Sequence, residues 1–135
     1  MNKKKKANTA PLNAPNEHAV KAARRPAKPA VVRNQRCCVH EYWAVVETNG
    51  TLVRGRNVVS VQRLSQGQYE VIFSDDVSQG IYVATIGRPG ISVEPSGQIG
   101  VALRFGSANK GVWVDTHDSA GNPSDRAFHL VVHTD

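Results

Sequence analysis

The sequence predicts an all-β fold, an antiparallel β-sandwich or small barrel of about eight strands, preceded by an extended basic N-terminal arm. From Tyr42 onward, short runs rich in β-branched and aromatic residues alternate with turn residues. Such regular spacing with almost no helical pattern is typical of sandwiches and small barrels. Residues 1–40 are instead rich in Lys, Arg, Ala and Pro. We therefore expect a basic arm at 1–40 and a β-sandwich domain at 41–135.

The predicted strands are runs of strand-forming residues that end at turn residues. Asn49-Gly50 separates the first two runs and tolerates the positive φ angles of a two-residue type I′ turn. Ser65-Gln66-Gly67 marks a second hairpin, and Gly106–Lys110 marks a third. The predicted strands are Tyr42–Glu47, Thr51–Arg54, Val58–Leu64, Gln68–Phe73, Ile81–Ile86, Ile99–Phe105, Gly111–Thr116 and Ala127–His133.

Large side chains are few in the predicted domain, so their positions are informative. In the fourth strand Tyr69, Val71 and Phe73 share one face, because successive side chains of a strand point to opposite sides. Aromatic rings bury the most area per residue and dominate small cores. The predicted core residues are Trp43, Tyr69, Phe73, Tyr82, Phe105, Trp113 and Phe128.

Two segments of the domain carry a distinctive set of short motifs. Gln68–Gly87 is QYEVIFSDDVSQGIYVATIG, and Gly111–Val132 is GVWVDTHDSAGNPSDRAFHLVV. Together they resemble a small all-β domain of uncharacterised bacterial proteins, with the pattern YEVxF, DVS, YxATIG, VxTxDxxGN and FHL. The resemblance covers about residues 43–133 and implies a β fold but no activity. Domains of this kind often carry one cysteine near Gly80 and one near Thr134, where this chain has none.

Charge is divided unevenly along the chain. Residues 1–40 hold ten basic residues and one acid, which gives +9, whereas residues 41–135 hold seven basic residues and ten acids, which gives −3. Such asymmetry points to nucleic acid, a membrane surface or an acidic patch on a neighbouring subunit as the partner of the arm. The candidate polyanion-binding residues are Lys3, Lys4, Lys5, Lys6, Lys21, Arg24, Arg25, Lys28, Arg33 and Arg36.

Three roles for the arm stay open on the sequence. It has enough charge to bind nucleic acid without sequence preference, although it lacks aromatic residues on which bases could stack. It could also strap a neighbouring copy, with Val31, Val32 and Val39 adding a strand to an exposed sheet edge. The third role is a solubilising linker without a specific partner.

Cys37 and Cys38 lie at the junction of arm and domain and are the only cysteines. Adjacent cysteines rarely bridge each other, because the peptide unit between them forces a strained ring. Two interpretations stay open. The pair is either two small apolar residues at the domain edge or a pair of inter-subunit disulfide candidates.

The sequence predicts no catalytic centre, no metal site and no cofactor. Asp75-Asp76 is typical of a turn. The Asp115, His117, Asp118 group lacks the arrangement of a catalytic triad, and the chain has no GxSxG, HExxH or P-loop motif. Cys37, Cys38 and His40 lack zinc-ligand spacing, and His129 and His133 are about 13 Å apart along one strand.

The sequence contains no apolar run of about 18 residues and no Sec-type signal pattern. We therefore expect synthesis in the cytoplasm and no membrane insertion. The final location stays open and includes an extracellular or particle assembly.

These observations favour a non-enzymatic structural subunit that self-assembles into a filament, shell or other homo-oligomer, with the arm strapping neighbours. The first alternative is a nucleic-acid-binding or packaging protein that uses the basic arm. The second is a receptor-binding tip domain that uses the loops Gly87–Gly97 and His117–Arg126.

Overall fold

A computed structural model of the protein describes residues 39–135, which form eight antiparallel strands and no helix. The predicted all-β fold is confirmed. The rest of the predicted arm lies outside the described residues, and the first strand begins at His40. The strands are β1 His40–Val46, β2 Leu52–Arg56, β3 Val58–Ser65, β4 Gln68–Phe73, β5 Ile81–Ile86, β6 Gly97–Leu103, β7 Gly111–Asp118 and β8 Phe128–Thr134.

The strands form two sheets of four. Sheet A has the order β2-β1-β8-β5, and sheet B has the order β3-β4-β7-β6. Every neighbouring pair is antiparallel. Because each sheet keeps two edge strands, the domain is an open β-sandwich rather than a closed barrel.

Within residues 39–135, no helix has the length and apolar character needed to span a membrane.

The chain passes from sheet A to sheet B at Asn57, the single residue between β2 and β3. Asn57 has φ of 58°, in the left-handed region that asparagine tolerates. Its side-chain amide donates to the Glu41 carbonyl at 3.2 Å, and the Ser74 N–H donates to its own carbonyl at 2.9 Å. Gly55 completes the corner, since a Cβ there would lie 2.7 Å from Val58 Cγ2.

Alternate residues of the four central strands fill the space between the sheets. The rings of Tyr69 and Phe128 meet edge-to-face with centroids 5.1 Å apart, and those of Tyr42 and Phe73 meet at 5.6 Å. The predicted burial of Tyr69, Phe73 and Phe128 is confirmed. The largest fully buried side chains are Tyr69, Phe73, Phe128, Leu130, Val46, Val71, Val77, Val112, Val114, Val132 and Thr116.

Three of the predicted core residues were placed wrongly. Trp43 and Trp113 are only half-buried, because the alternation of their strands directs them to the outer faces of the sheets. Phe105 lies in the turn after β6, where its side chain is 95% exposed. Tyr82 is half-buried against the core, and its hydroxyl donates to the Val77 carbonyl at 2.6 Å.

The carboxylate of Asp125 joins the last long loop to the turn between β3 and β4. It accepts hydrogen bonds from the Gly67 N–H at 2.8 Å and from Arg63 Nε at 3.0 Å. The Tyr69 hydroxyl donates to the Thr48 carbonyl at 2.7 Å and lies 3.3 Å from Asp125 Oδ1. Burial alone would raise the pKa of Asp125, but the bonds from Arg63 and Gly67 outweigh it and lower that pKa.

Gly80 and Thr134 are neighbours at the ends of β5 and β8. A Cβ built at Gly80 would lie 2.8 Å from Thr134 Cγ2. The positions at which the resembling bacterial domains often carry cysteine are therefore close enough in space for a bridge between these two strands. Membership of that family stays a prediction.

Replacing Leu130 with alanine is expected to lower the free energy of unfolding by about 2–5 kcal/mol, because the side chain is fully buried between the sheets. Leu64→Ala is the matched control, since Leu64 is 38% exposed, and it should cost about 0.5 kcal/mol. Urea denaturation of both variants measures the difference. Equal losses would contradict the assigned core.

Stability is expected to fall as the pH rises above 10. Burial, with the nearby Asp125 charge, raises the pKa of Tyr69 from 10.0 to about 12. The unfolded chain then releases its tyrosine proton while the folded chain keeps it, so the contribution is complete below pH 10 and lost towards pH 12. Tyr69→Phe should flatten this decline in urea denaturation between those pH values. An unchanged slope would contradict the assignment.

Candidate functional site

The outer face of sheet A carries exposed β-branched side chains along its edge strand β5. Ile81 lies opposite His133 on β8, and Val83 lies opposite Val131, so these side chains share one face. Val39, Ile81 and Val83 are 59%, 63% and 60% exposed. We call these three residues the apolar patch. Large contiguous apolar patches are uncommon on isolated proteins and mark interaction surfaces, and three neighbouring exposed β-branched residues make this face the candidate for such a surface.

The apolar patch borders a groove of about 230 Å³ where the sheet ends. Val39 is the described residue at which the arm joins the domain, so the predicted strap residue nearest the domain lies on this surface. The groove is lined by Val39, Gln79, Ile81, His133, Thr134 and Asp135.

The strand that carries two patch residues also has a free edge. β5 pairs with β8 on one side, and no strand among residues 39–135 pairs with its other side. An edge of this kind presents unpaired backbone N–H and C=O groups, onto which another strand can add.

Carboxylates gather at the end of the sandwich where β1 begins. Asp75, in the loop after β4, accepts hydrogen bonds from the hydroxyls of Ser74 at 2.8 Å and Tyr42 at 3.1 Å, and both lower its pKa. Hydrogen bonds from Ser78 lower the pKa of Asp76. The exposed carboxylates of this end are Glu41, Asp75, Asp76 and Asp135.

Three of the seven cations of the domain are paired with its own acids. The pairs are Arg63–Asp125 at 3.0 Å, Arg88–Glu94 at 2.6 Å and Arg104–Glu70 at 2.7 Å. Lys110 Nζ donates to the Ser74 carbonyl, next to Asp75. The domain therefore presents more free negative than free positive charge, in line with its formal −3.

A second exposed surface lies on the outer face of sheet B, around Trp113. Trp113 on β7 lies between Glu70 on β4 and Ala102 on β6. Arg104 reaches across β7 with its guanidinium carbon 5.0 Å from the Trp113 ring centroid and its Nε 2.7 Å from Glu70 Oε2. A groove of about 270 Å³, which we call the aromatic groove, is lined by Ala102, Leu103, Arg104, Phe105 and Trp113.

Phe105 projects from a backbone that is fixed by local hydrogen bonds. The Ser107 hydroxyl donates to the Arg104 carbonyl at 2.7 Å and accepts from the Gly111 N–H at 2.9 Å. Gly106 has φ of 76°, which glycine adopts without steric cost. The turn thus holds one wall of the aromatic groove in place.

The Asp115, His117, Asp118 group does not share one face: Asp115 and His117 lie on one side of β7, and Asp118 is the last residue of that strand. Asp115 Oδ2 and His117 Nε2 are 3.9 Å apart on the outer face. Asp118 accepts from the backbone N–H groups of Asn122 and Ala120, both at 2.9 Å, and these bonds lower its pKa. Asp118 is therefore engaged in shaping its own turn.

Among residues 39–135, no three His, Cys, Asp or Glu side chains are gathered so that they could hold a metal ion. Most of the predicted strap, disulfide and polyanion-binding residues of the arm lie outside the described residues. These are Val31, Val32, Cys37, Cys38 and all ten arm cations.

The predicted recognition loop after β5 is held at one buried residue and is exposed at its tip. Glu94 is buried, with Oε2 2.6 Å from Arg88 Nε, and its Oε1 accepts from the Ala127 N–H at 3.2 Å. Ile91 and Val93 are almost fully exposed at the tip. The other predicted recognition loop, His117–Arg126, is held by Asp118 and Asp125 as described above.

Comparison of the chain with protein-family models, with curated proteins and with solved structures gave no match.

Proposed function

We propose that this protein is a structural subunit that assembles with copies of itself through the apolar patch, with the basic arm strapping the neighbouring copy. The observation that carries the proposal is a surface of three β-branched side chains, each about 60% exposed, of which Ile81 and Val83 lie on the edge strand β5. Their burial against a second copy would remove apolar area from water and bring two unpaired edges together.

The size of the apolar patch explains why a strap is needed. Complete burial of a valine or isoleucine contributes roughly 1.5–3 kcal/mol, so the exposed part of each patch side chain contributes about 1–2 kcal/mol. Six such side chains across two copies give about 6–12 kcal/mol, against association costs of about 4–15 kcal/mol. The patch alone is therefore marginal, and contacts of the arm supply the difference.

The junction residue supports the same assembly. Val39 belongs to the apolar patch, so an arm that leaves one copy starts at the surface where the next copy would pack. Cys37 and Cys38 directly precede it in sequence. If they bridge neighbouring chains, a reductant will lower the stability of the particles, which sedimentation with and without reductant measures.

Nucleic-acid binding is the second candidate, and the +9 charge of the arm favours it. The domain adds little to such a surface, because its formal charge is −3 and three of its seven cations are already paired with acids. Nucleic acid in the purified particles, with affinity that falls steeply as salt rises, would favour this candidate over the structural one.

Ile81→Ser with Val83→Ser is expected to weaken self-association at least tenfold, which corresponds to about 1.4 kcal/mol, since two patch side chains become polar. Ile91→Ser with Val93→Ser is the matched control, because it makes the same change at two other exposed residues. Sedimentation velocity over a range of concentrations measures association, and circular dichroism checks the fold. Equal association of both double variants and the unaltered protein would contradict the patch as the contact.

Deletion of residues 1–36 is expected to leave the β circular dichroism of the domain unchanged and to abolish large assemblies. Within the full chain, Val31→Ser with Val32→Ser should weaken assembly more than alanine at Lys3, Lys4, Lys5 and Lys6, because a strap depends on apolar contacts near the domain. Light scattering with absorbance at 260 and 280 nm measures both. A larger effect of the lysine variant, with loss of bound nucleic acid, would favour polyanion binding.

A further inference from the structure

We propose that the aromatic groove binds the proline-containing segment 24–30 of the arm, Arg-Arg-Pro-Ala-Lys-Pro-Ala, from a second copy of the chain. The proposal deepens the proposed function, on which it rests in taking the segment from a neighbouring copy. It assigns the strap a receptor site on sheet B, away from the apolar patch on sheet A.

The walls of the aromatic groove have the chemistry that proline-rich segments require. Phe105 is 95% exposed, and the groove is also lined by Trp113, over whose ring the Arg104 guanidinium lies, and by the small side chain of Ala102. Proteins that recognise Pro-x-x-Pro segments use shallow grooves lined by aromatic rings, against which the proline rings pack. The fixed turn at Ser107 means that little ordering of the groove is needed on binding.

The spacing of the prolines in the segment suits such a groove. Pro26 and Pro29 are three residues apart in the sequence. A polyproline II helix has three residues per turn and rises about 3.1 Å per residue, so both rings would project from one side about 9 Å apart. Because proline already restricts the backbone, a segment of this kind loses little conformational entropy when it binds.

The charges near the aromatic groove match the segment. Arg25 and Lys28 flank Pro26 in the sequence. Arg104 does not leave an unpaired positive charge in the groove, since Glu70 pairs with it at 2.7 Å. Asp115 lies two residues beyond Trp113 on the same outer face of β7, about 7 Å along the strand, and offers a carboxylate to an incoming cation.

The length of the arm allows the segment to reach this site on a neighbour. Ten peptide units separate Pro29 from Val39, which span about 31 Å when extended. The two sheets of a sandwich are about 10 Å apart. An arm that starts at the apolar patch of one copy can therefore pass around the end of its neighbour from sheet A to sheet B.

Peptide binding tests the site without relying on assembly. The full chain carries Pro26→Ala and Pro29→Ala, so that its own segment does not compete with the peptide for the groove. It also carries Trp43→Phe, which leaves Trp113 as the only tryptophan. A synthetic peptide of residues 22–32 is expected to change Trp113 fluorescence saturably. The same peptide with both prolines replaced by alanine should bind at least tenfold more weakly, and so should the native peptide on a Phe105→Ser background.

Assembly of the full chain supplies the second measurement. Pro26→Ala with Pro29→Ala should lower assembly, whereas the matched control Pro11→Ala with Pro15→Ala should not. Equal binding of both peptides, or binding that is unchanged by Phe105→Ser, would overturn the site even if the protein assembles. If the peptide binds in a proline-dependent way but the chain never assembles, the aromatic groove is still a binding site for such segments. That result would overturn both the donation of the segment by a second copy and the proposed structural function.

A cross-linking experiment identifies the copy that donates the segment. A photoreactive benzoylphenylalanine at position 105 should be tolerated, because Phe105 is exposed. In particles of mixed ¹⁴N and ¹⁵N chains, mass spectrometry should find cross-links to residues 24–30 that join light and heavy chains. The same group at Ile91 is the control and should not react with that segment. Cross-links only within one chain would overturn donation by a neighbour.

Discussion

The arrangement of the whole domain depends on one corner, where the chain turns from sheet A to sheet B at Asn57. The carbonyl of Asn57 accepts from Ser74 and its amide donates to Glu41, so the corner is tied to strands of both sheets. Because the side-chain period of a strand is two residues, a slip of one residue at this point would reverse the faces of β3, whose Val58 and Val61 pack against the core. The side chains of the apolar patch and the aromatic groove face outwards because of the registers of β5 with β8 and of β7 with β4 and β6.

The strands could be predicted because their ends are determined locally. Asn49-Gly50 and Gly67 form turns, with φ of 86° at Gly50 and 71° at Gly67, and these turn residues were visible in the sequence. The expected type I′ turn was wrong, because Asn49 lacks the positive φ that this turn requires; the Gly50 N–H instead donates to the Glu47 carbonyl at 2.9 Å. The faces of the strands were harder to predict. Val112, Trp113 and Val114 are all apolar, so the alternation of β7 is hidden, and only its pairing with Glu70 and Ala102 shows that Trp113 faces outwards. Trp113 was therefore predicted to be buried because it is large and apolar, whereas the register of β7 places it on the outer face.

The candidate surfaces could not be predicted from the sequence, because each is built from distant segments. Glu70 and Arg104 are 34 residues apart in the chain and meet only across β7. Val39 and Ile81 share a groove because β1 and β5 both pair with β8. By contrast, the charge division between arm and domain was visible from composition alone. Each of the three ion pairs removes one cation and one acid, so the free charge of the domain stays mainly negative.

Charge alone cannot make the arm selective for the domain. Exposed ion pairs contribute about 0–1 kcal/mol each, and physiological salt screens charges beyond about 8 Å. Nucleic acid carries one charge per about 1.7 Å of duplex, far more than a domain with a formal charge of −3. An arm that acted only through its cations would therefore prefer a polyanion to a neighbouring subunit. Selectivity for a subunit has to come from shape and apolar contact, and the apolar patch and the aromatic groove are the surfaces of the described domain that offer both.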